Sequence, residues 1–183
     1  MQTNIVDRLI ELYNQADEPT KSHGIGWYAL ANKRAKELSL KHNKPMYIVA
    51  GIIAALSPNN KWERNLIDAD NFLAKPSLET KVCTFLKNRE KALKIMVAKN
   101  AHEVLHLLNG RKTVSFYHNI MRYKTSQVVT VDLWMFRIAS LTHNAKNYEL
   151  ISQGVLDTSK QLGVLPHQLQ AIVWSVVRPS KAG

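Results

Sequence analysis

Apolar residues recur every three to four positions along most of the chain, the spacing that places them on one face of an α-helix. Only residues 126–131 have a strand-like composition, and because this segment is short and leads into a helix we expect an extended connection. A loop is expected over residues 16–26. The pattern therefore predicts an all-α fold, with helices over residues 5–15, 27–42, 46–56, 61–75, 87–99, 100–108, 112–123, from 132 onward, 148–163 and 165–178.

One of these segments, "MYIVAGIIAAL" at residues 46–56, is apolar nearly all round. It is too short to span a bilayer, so it predicts a helix that is buried on every side. The flanking segments are apolar on one side only. A central apolar helix surrounded by amphipathic ones predicts a globular α-fold and not a coiled coil.

The charge balance indicates the class of partner. With 25 Lys and Arg against 14 Asp and Glu in 183 residues, the formal net charge is +11. Self-repulsion of this size costs stability, and nucleic acid is a common partner of such chains. The alternative is a generally basic surface without a dedicated ligand.

Two further features bear on the compartment and on bound metals. The single cysteine, Cys83, excludes an intramolecular disulfide and a four-cysteine iron–sulfur or zinc site. The amphipathic first segment lacks the apolar core of a signal peptide. We therefore expect a cytoplasmic protein that does not associate with membranes and carries no metal or other cofactor.

The stretch "HLLNGRKTVSFYHNI" predicts a tight turn between two helices. Asn109 and Gly110 both tolerate positive φ, and a new helix is expected to start near Lys112. Backbone N–H groups at such a helix start, with Arg111 and Lys112 beside them, suit a phosphate of the DNA backbone. A plain turn between helices would have the same sequence.

A second candidate residue, Asp132, lies in "VVTVDLWMFRI". An aspartate directly before an apolar helical run is a typical helix N-cap. A functional carboxylate held at a helix N-terminus would look the same in sequence. Taken singly, Asp132 and Lys112 are each explained by structure alone.

Taken in order, these segments resemble the helix-hairpin-helix (HhH-GPD) superfamily of DNA glycosylases, in its endonuclease III-like branch. The resemblance rests on "GRKT" at residues 110–113, on "VDLWMFRI" at residues 131–138, and upstream on "AGIIAALSPNNKWERN". It spans residues 48–141, with Lys112 and Asp132 20 positions apart. The hairpin is two residues shorter than the family's, and the cluster cysteines are absent, as in a distant member of phage type without an iron–sulfur cluster.

The resemblance implies one HhH-GPD-like domain over residues 1–183, made of two helical lobes with a cleft between them. The first lobe, about residues 44–124, would be a helical barrel that ends in the hairpin. The second would join residues 1–43 to residues 125–183. Lys112 and Asp132 would face each other where the lobes meet, and the protein is expected to act as a monomer in the cytoplasm, that of the host if a phage encodes it.

The implied chemistry is removal of a base from a flipped-out nucleotide. Asp132 would stabilise the positive charge that develops at C1′ of the sugar, and the Lys112 amine would attack C1′ and form a Schiff base that permits strand cleavage. Asn59 falls where the family has the glutamine that enters the DNA stack. The implied DNA-contacting residues are Asn59, Asn60, Lys61, Asn109, Gly110, Arg111 and Thr113, and the implied base pocket contains Trp62 and Trp134.

Each of these residues also has a structural interpretation. Asn59 and Asn60 could form an ordinary loop and helix cap, and Trp62 and Trp134 could be packing residues. Two other functions also remain open. The same scaffold could transfer an amine or amino acid to an activated 5-hydroxymethyl pyrimidine in phage DNA, or the protein could bind DNA without catalysis.

Overall fold

The computed structural model describes residues 4–178, which form ten α-helices and no β-strand. This confirms the predicted all-α fold. None of the helices within this range is long and apolar enough to cross a membrane. In chain order they are α1 (Ile5–Gln15), α2 (Glu18–His42), α3 (Met46–Leu56), α4 (Trp62–Ala74), α5 (Leu86–Ile95), α6 (Ala101–Leu108), α7 (Arg111–Met121), α8 (Leu133–Ile138), α9 (Ala145–Leu162) and α10 (Pro166–Val177).

The chain divides into two compact units. The central unit is Leu30–Met121, and the terminal unit contains the chain up to Ala29 and from Arg122 onward. The predicted lobes instead divided at residue 44. Residues 30–43 belong to the central unit because their side chains form hydrogen bonds within that unit. The Asn32 amide, for example, donates to the Ile120 carbonyl at 2.8 Å.

Ion pairs at the end of α2 also belong to the central unit. The Asp70 carboxylate on α4 lies 2.7 Å from the Lys41 amine and 2.6 Å from His42 Nε2. Burial raises the pKa of Asp70, but the hydrogen bonds and charges of Lys41 and His42 outweigh burial and hold this pKa below its ordinary value. These contacts fasten the last turn of α2 to α4.

The core of the central unit is α3. Every residue from Ile48 to Leu56 is buried, and α4, α5, α6 and α7 pack around this helix. The prediction of a buried central helix is therefore confirmed. Burial of a helix on all sides requires neighbours that present apolar faces, which the one-sided pattern of the surrounding segments supplies.

The core of the terminal unit is formed by α1, α8, α9 and α10 together with the connection between α7 and α8. That connection is extended and forms no strand, as predicted for residues 126–131. Its alternate residues Val129 and Val131 point into the core. The buried core residues are Leu9, Leu12, Val129, Val131, Met135, Phe136, Ile138, Ile151, Val155, Leu169 and Val173.

The predicted loop over residues 16–26 is wrong, because α2 already begins at Glu18. Asp17 starts the helix by accepting a hydrogen bond from the Thr20 N–H at 2.8 Å, and hydrogen bonds from the Thr20 side chain and backbone lower the pKa of Asp17. Pro19 lies in the first turn, where a missing N–H costs nothing. Gly24 lies against Ile172 of α10, so it allows close packing and does not mark a turn.

His167 on α10 is buried in the terminal unit, with an exposed fraction of 1%. Its Nε2–H donates to the Tyr123 carbonyl at 2.8 Å, and its ring lies edge-on to Tyr28, with centroids 5.0 Å apart. Burial lowers the pKa of His167, and the bond to the Tyr123 carbonyl offsets part of this shift. The imidazole is therefore neutral in the fold under conditions that protonate a free histidine.

This shift predicts that acid weakens the fold. The unfolded histidine titrates near pH ~6.5, so below that pH the unfolded chain binds more protons and the free energy of unfolding falls until the folded pKa is passed. His167→Gln, whose amide can still donate to the Tyr123 carbonyl, should flatten this dependence in urea denaturation between about pH 7.5 and about pH 5. His102→Gln, at an exposed position on α6, should leave it unchanged. An equal slope in His167→Gln and the parent protein would contradict the assignment.

Candidate functional site

The turn between α6 and α7 contains one left-handed residue. Asn109 adopts φ +49°, and its N–H donates to the Leu105 carbonyl. Gly110, which also tolerates positive φ, does not adopt it. Its carbonyl accepts hydrogen bonds from the Val114 N–H at 2.8 Å and from the Thr113 hydroxyl at 3.0 Å. α7 therefore begins directly after the turn, at Arg111.

Lys91 on α5 fastens this turn from outside. Its ammonium donates to the Leu108 carbonyl at 2.6 Å, at the C-terminal end of α6 where a cation is favourable. Burial lowers the pKa of Lys91 from its ordinary value, and the charge of Lys87 lowers it further. The sequence analysis missed this residue. The signal in the sequence was its position on the helix. Lys91 lies three positions after Asn88 and four before Ile95, and so on the same helix face as these two buried residues.

The first turn of α7 carries the proposed nucleophile. Arg111 is exposed, whereas Lys112 is half-buried. The first N–H groups of a helix have no acceptor within the helix, so two cations at this position suit a phosphate. Thr113 differs from its neighbours because it is buried and its hydroxyl bonds to the Gly110 carbonyl. Thr113 therefore holds the turn together, while Arg111 and Lys112 are the accessible basic groups.

The loop after α3 presents its three predicted DNA-contacting residues differently. Asn59 is exposed and left-handed, with φ +58°. Lys61 is exposed and lies at the N-terminus of α4. Asn60 faces inward, where its amide donates to Asp68 Oδ2 at 2.8 Å and to the Leu56 carbonyl at 3.3 Å. Asn59 and Lys61 can therefore meet a ligand, while Asn60 supports the loop.

Asp68, which the sequence analysis did not single out, is fully buried. It accepts hydrogen bonds from Arg64 Nε at 2.7 Å, from the Asn60 amide, and from the Cys83 N–H at 2.7 Å. The hydrogen bond and the charge of Asp68 raise the pKa of Arg64. The signal in the sequence was an acidic residue three positions after Asn65 and thus on the inward face of an amphipathic helix.

Asp132 is the N-cap of α8. Its backbone is extended, and its Oδ1 accepts hydrogen bonds from the N–H groups of Trp134 at 3.0 Å and Met135 at 3.1 Å. The predicted cap is confirmed. The residue before it is buried in the core, and the Thr130 carbonyl accepts a hydrogen bond from the Gln170 amide at 2.8 Å. The half-buried carboxylate therefore has a backbone anchored on both sides.

The two predicted pocket tryptophans both make packing contacts. Trp62 is half-buried and lies edge-on to Phe116 in the central unit, with ring centroids 6.3 Å apart. Trp134 is half-buried in the terminal unit, with the Arg137 guanidinium 4.9 Å from its ring centroid. Their part in a base pocket stays a prediction.

The central unit thus contains the loop over residues 57–61, the α6–α7 turn and Lys112, whereas Asp132 lies in the terminal unit. The predicted pairing of Lys112 with Asp132 stays a prediction. Within residues 4–178, no three His, Cys, Asp or Glu side chains are grouped so that they could hold a metal ion.

Comparison with known proteins gives a family but no activity. Residues 1–181 match one family model, which is described as a family of unknown function (DUF7178). No curated protein and no solved structure matches the chain. The match covers nearly the whole chain. Because that family has no described function, the function has to be argued from the residues themselves.

Proposed function

We propose that this protein, which belongs to the DUF7178 family, is a DNA N-glycosylase with abasic-site lyase activity. The observation that carries the proposal is the α6–α7 turn, where the half-buried Lys112 directly follows the exposed Arg111 at a helix start, three positions after the left-handed Asn109. Its second support is Asp132, a half-buried carboxylate at the start of another helix. The net charge of +11 supplies the sequence-independent attraction to DNA.

In the proposed reaction a backbone phosphate binds at the start of α7 and a nucleotide is flipped out of the stack. Asp132 takes a proton from the Lys112 ammonium and passes it to the base, so that Asp132 is a carboxylate again as positive charge develops at C1′ and stabilises that charge. The amine forms a bond to C1′ while the bond to the base breaks, and the base leaves with that electron pair and the proton from Asp132. The nitrogen now bonded to C1′ loses a proton as the ring oxygen O4′ gains one. The sugar ring then opens to a Schiff base, and loss of a C2′ proton expels the 3′ phosphate and cleaves the strand.

The exposed loop residues have a second role in this proposal. Flipping leaves a gap in the base stack, and the side chain of Asn59 would fill it while Lys61 contacts the backbone. The left-handed conformation of Asn59 is unfavourable for most residues, although asparagine tolerates it. An exposed residue held in this conformation suits a contact that must be presented in one geometry.

Borohydride trapping tests the covalent step, because it reduces a Schiff base to a stable cross-link. On duplex DNA with an abasic site or an oxidised pyrimidine, the parent protein should form an adduct and Lys112→Ala should form none. Lys75→Ala removes the same charge from an exposed position after α4 and should form the adduct normally. The lyase proposal fails if the parent protein forms no adduct, or if Lys112→Ala forms an equal one.

Mass spectrometry of the treated DNA separates excision from the other functions. A released free base supports the glycosylase. A heavier nucleoside, formed from phage DNA with an activated 5-hydroxymethyl pyrimidine and an amine donor, would instead support base modification. DNA binding without either product would support a non-catalytic DNA-binding module.

A further inference from the structure

We infer that Asp68 is a positioning residue that holds the loop over residues 57–61 in the geometry needed to contact DNA, an inference that rests on the proposed function. Asp68 is fully buried on α4, so its carboxylate is not exposed to contact DNA itself. It acts through its three hydrogen-bond donors, which come from three different parts of the chain. Arg64 lies on the same helix, Asn60 in the loop, and the Cys83 N–H in the segment that leads into α5.

A buried carboxylate is costly unless donors surround it. Here three donors lie at 2.7 to 2.8 Å, the length of charge-assisted hydrogen bonds. Arg64 can balance the charge from within α4, but it contacts only Oδ1. Oδ2 is satisfied only when both Asn60 and Cys83 occupy their observed positions. The charge therefore stabilises the ordered arrangement of both segments.

The consequence for Asn59 follows from its two neighbours. The carbonyl of Pro58 accepts a hydrogen bond from the Thr84 hydroxyl at 3.2 Å, and that hydroxyl accepts one from the Asn88 amide at 2.7 Å. Asn60, on the other side, is held by Asp68. Asn59 is thus the exposed residue between two anchored ones, which lowers the entropy lost when it binds DNA.

Replacing Asp68 by asparagine keeps the size of the side chain but removes its charge and turns one acceptor atom into a donor. We expect the loop to loosen. Affinity for duplex DNA with an abasic site should fall at least about tenfold, because this contact needs an ordered loop. Affinity for intact duplex should change less than about twofold, because phosphate contacts dominate it.

Asp70→Asn is the matched control. Asp70 lies on the same helix and also forms ion pairs, but its partners are Lys41 and His42 at the end of α2. This variant should lose stability without changing the ratio of the two affinities. A second variant, Asn60→Ala, removes the loop's bond to Asp68 and leaves the Arg64 pair intact, so it tests the inference even if Asp68→Asn does not fold.

The experiment combines fluorescence anisotropy on the two DNAs with amide hydrogen exchange in the free protein. Faster exchange over residues 58–61 and a reduced preference for abasic DNA in Asp68→Asn or Asn60→Ala would support the inference. An unchanged preference and unchanged exchange in both variants would overturn it. If the parent protein shows no preference for abasic DNA, the proposed function fails, whereas the exchange measurement still decides whether Asp68 orders the loop.

Discussion

Replacing Asp132 with asparagine should lower the rate of base excision by about 10² to 10³-fold and leave the free energy of unfolding nearly unchanged. Asparagine is as good an N-cap as aspartate, and its side-chain oxygen can accept the same two hydrogen bonds from Trp134 and Met135. It lacks the negative charge that would stabilise the developing positive charge at C1′. Single-turnover excision rates and chemical denaturation together measure the two effects.

A pair of alanine variants separates the cap from the chemistry. Asp132→Ala should lose about 1 kcal/mol of stability along with the excision activity. Asn144 caps α9 in the same manner, with its side chain accepting from the Asn147 N–H at 2.8 Å. Asn144→Ala should therefore lose a similar amount of stability and keep full activity. If Asp132→Asn excises bases at the parent rate, Asp132 is a structural cap only.

Replacing Gly24 with alanine should destabilise the fold by about 2 to 3 kcal/mol, although alanine normally favours a helix. A Cβ at this position would lie 2.5 Å from Ile172 Cγ1, 2.7 Å from its backbone N and 2.8 Å from its Cα. The Cγ1 atom could move, but the backbone atoms can do so only if α2 and α10 separate. A shift of the Ile172 backbone would disturb the core packing of its neighbours on α10, Leu169 and Val173.

Gly26 supplies the matched control two positions along the same helix. A Cβ there would meet nothing within 4 Å. Gly26→Ala should therefore stabilise the protein by about 0.5 to 1 kcal/mol, the usual gain when alanine replaces glycine in a helix. Urea denaturation of the two variants should move the midpoint in opposite directions. Equal stability of the two would show that the close approach of α2 and α10 does not limit residue 24.

Most features whose physical cause lies within a few residues were predicted correctly, the exception being the start of α2, where Asp17 accepts from the Thr20 N–H. The bounds of α1 and α3 agree with the predicted segments because apolar periodicity is a local property of the chain. The cap at Asp132 was predictable for the same reason, since its two donors lie two and three positions away. The left-handed turn at Asn109 depends only on that residue's tolerance of positive φ.

Features whose cause lies on a distant element were missed. In the sequence Gly24 looks like a turn residue, which favoured the wrong loop over residues 16–26. Only the fold shows that Ile172 lies against Gly24 and that this glycine allows close packing within a helix. Asp68 and Lys91 resemble solvated charges on helix surfaces. Their partners, the Cys83 N–H and the Leu108 carbonyl, belong to other segments that only folding brings near.

The sequence by itself therefore determined the helices apart from the start of α2, together with the buried α3, the α6–α7 turn and the cap at Asp132, because local hydrogen bonds and apolar spacing decide each of them. The tertiary structure alone decided which glycine allows close packing, and which polar residues support the α6–α7 turn and the loop over residues 57–61. The choice of glycine depends on close contact with a residue far away in the chain, and the choice of polar residues depends on their desolvation by such residues. Desolvation makes the charge of Asp68 costly unless its donors are in place, and so turns a residue without a distinctive motif into one that organises a loop.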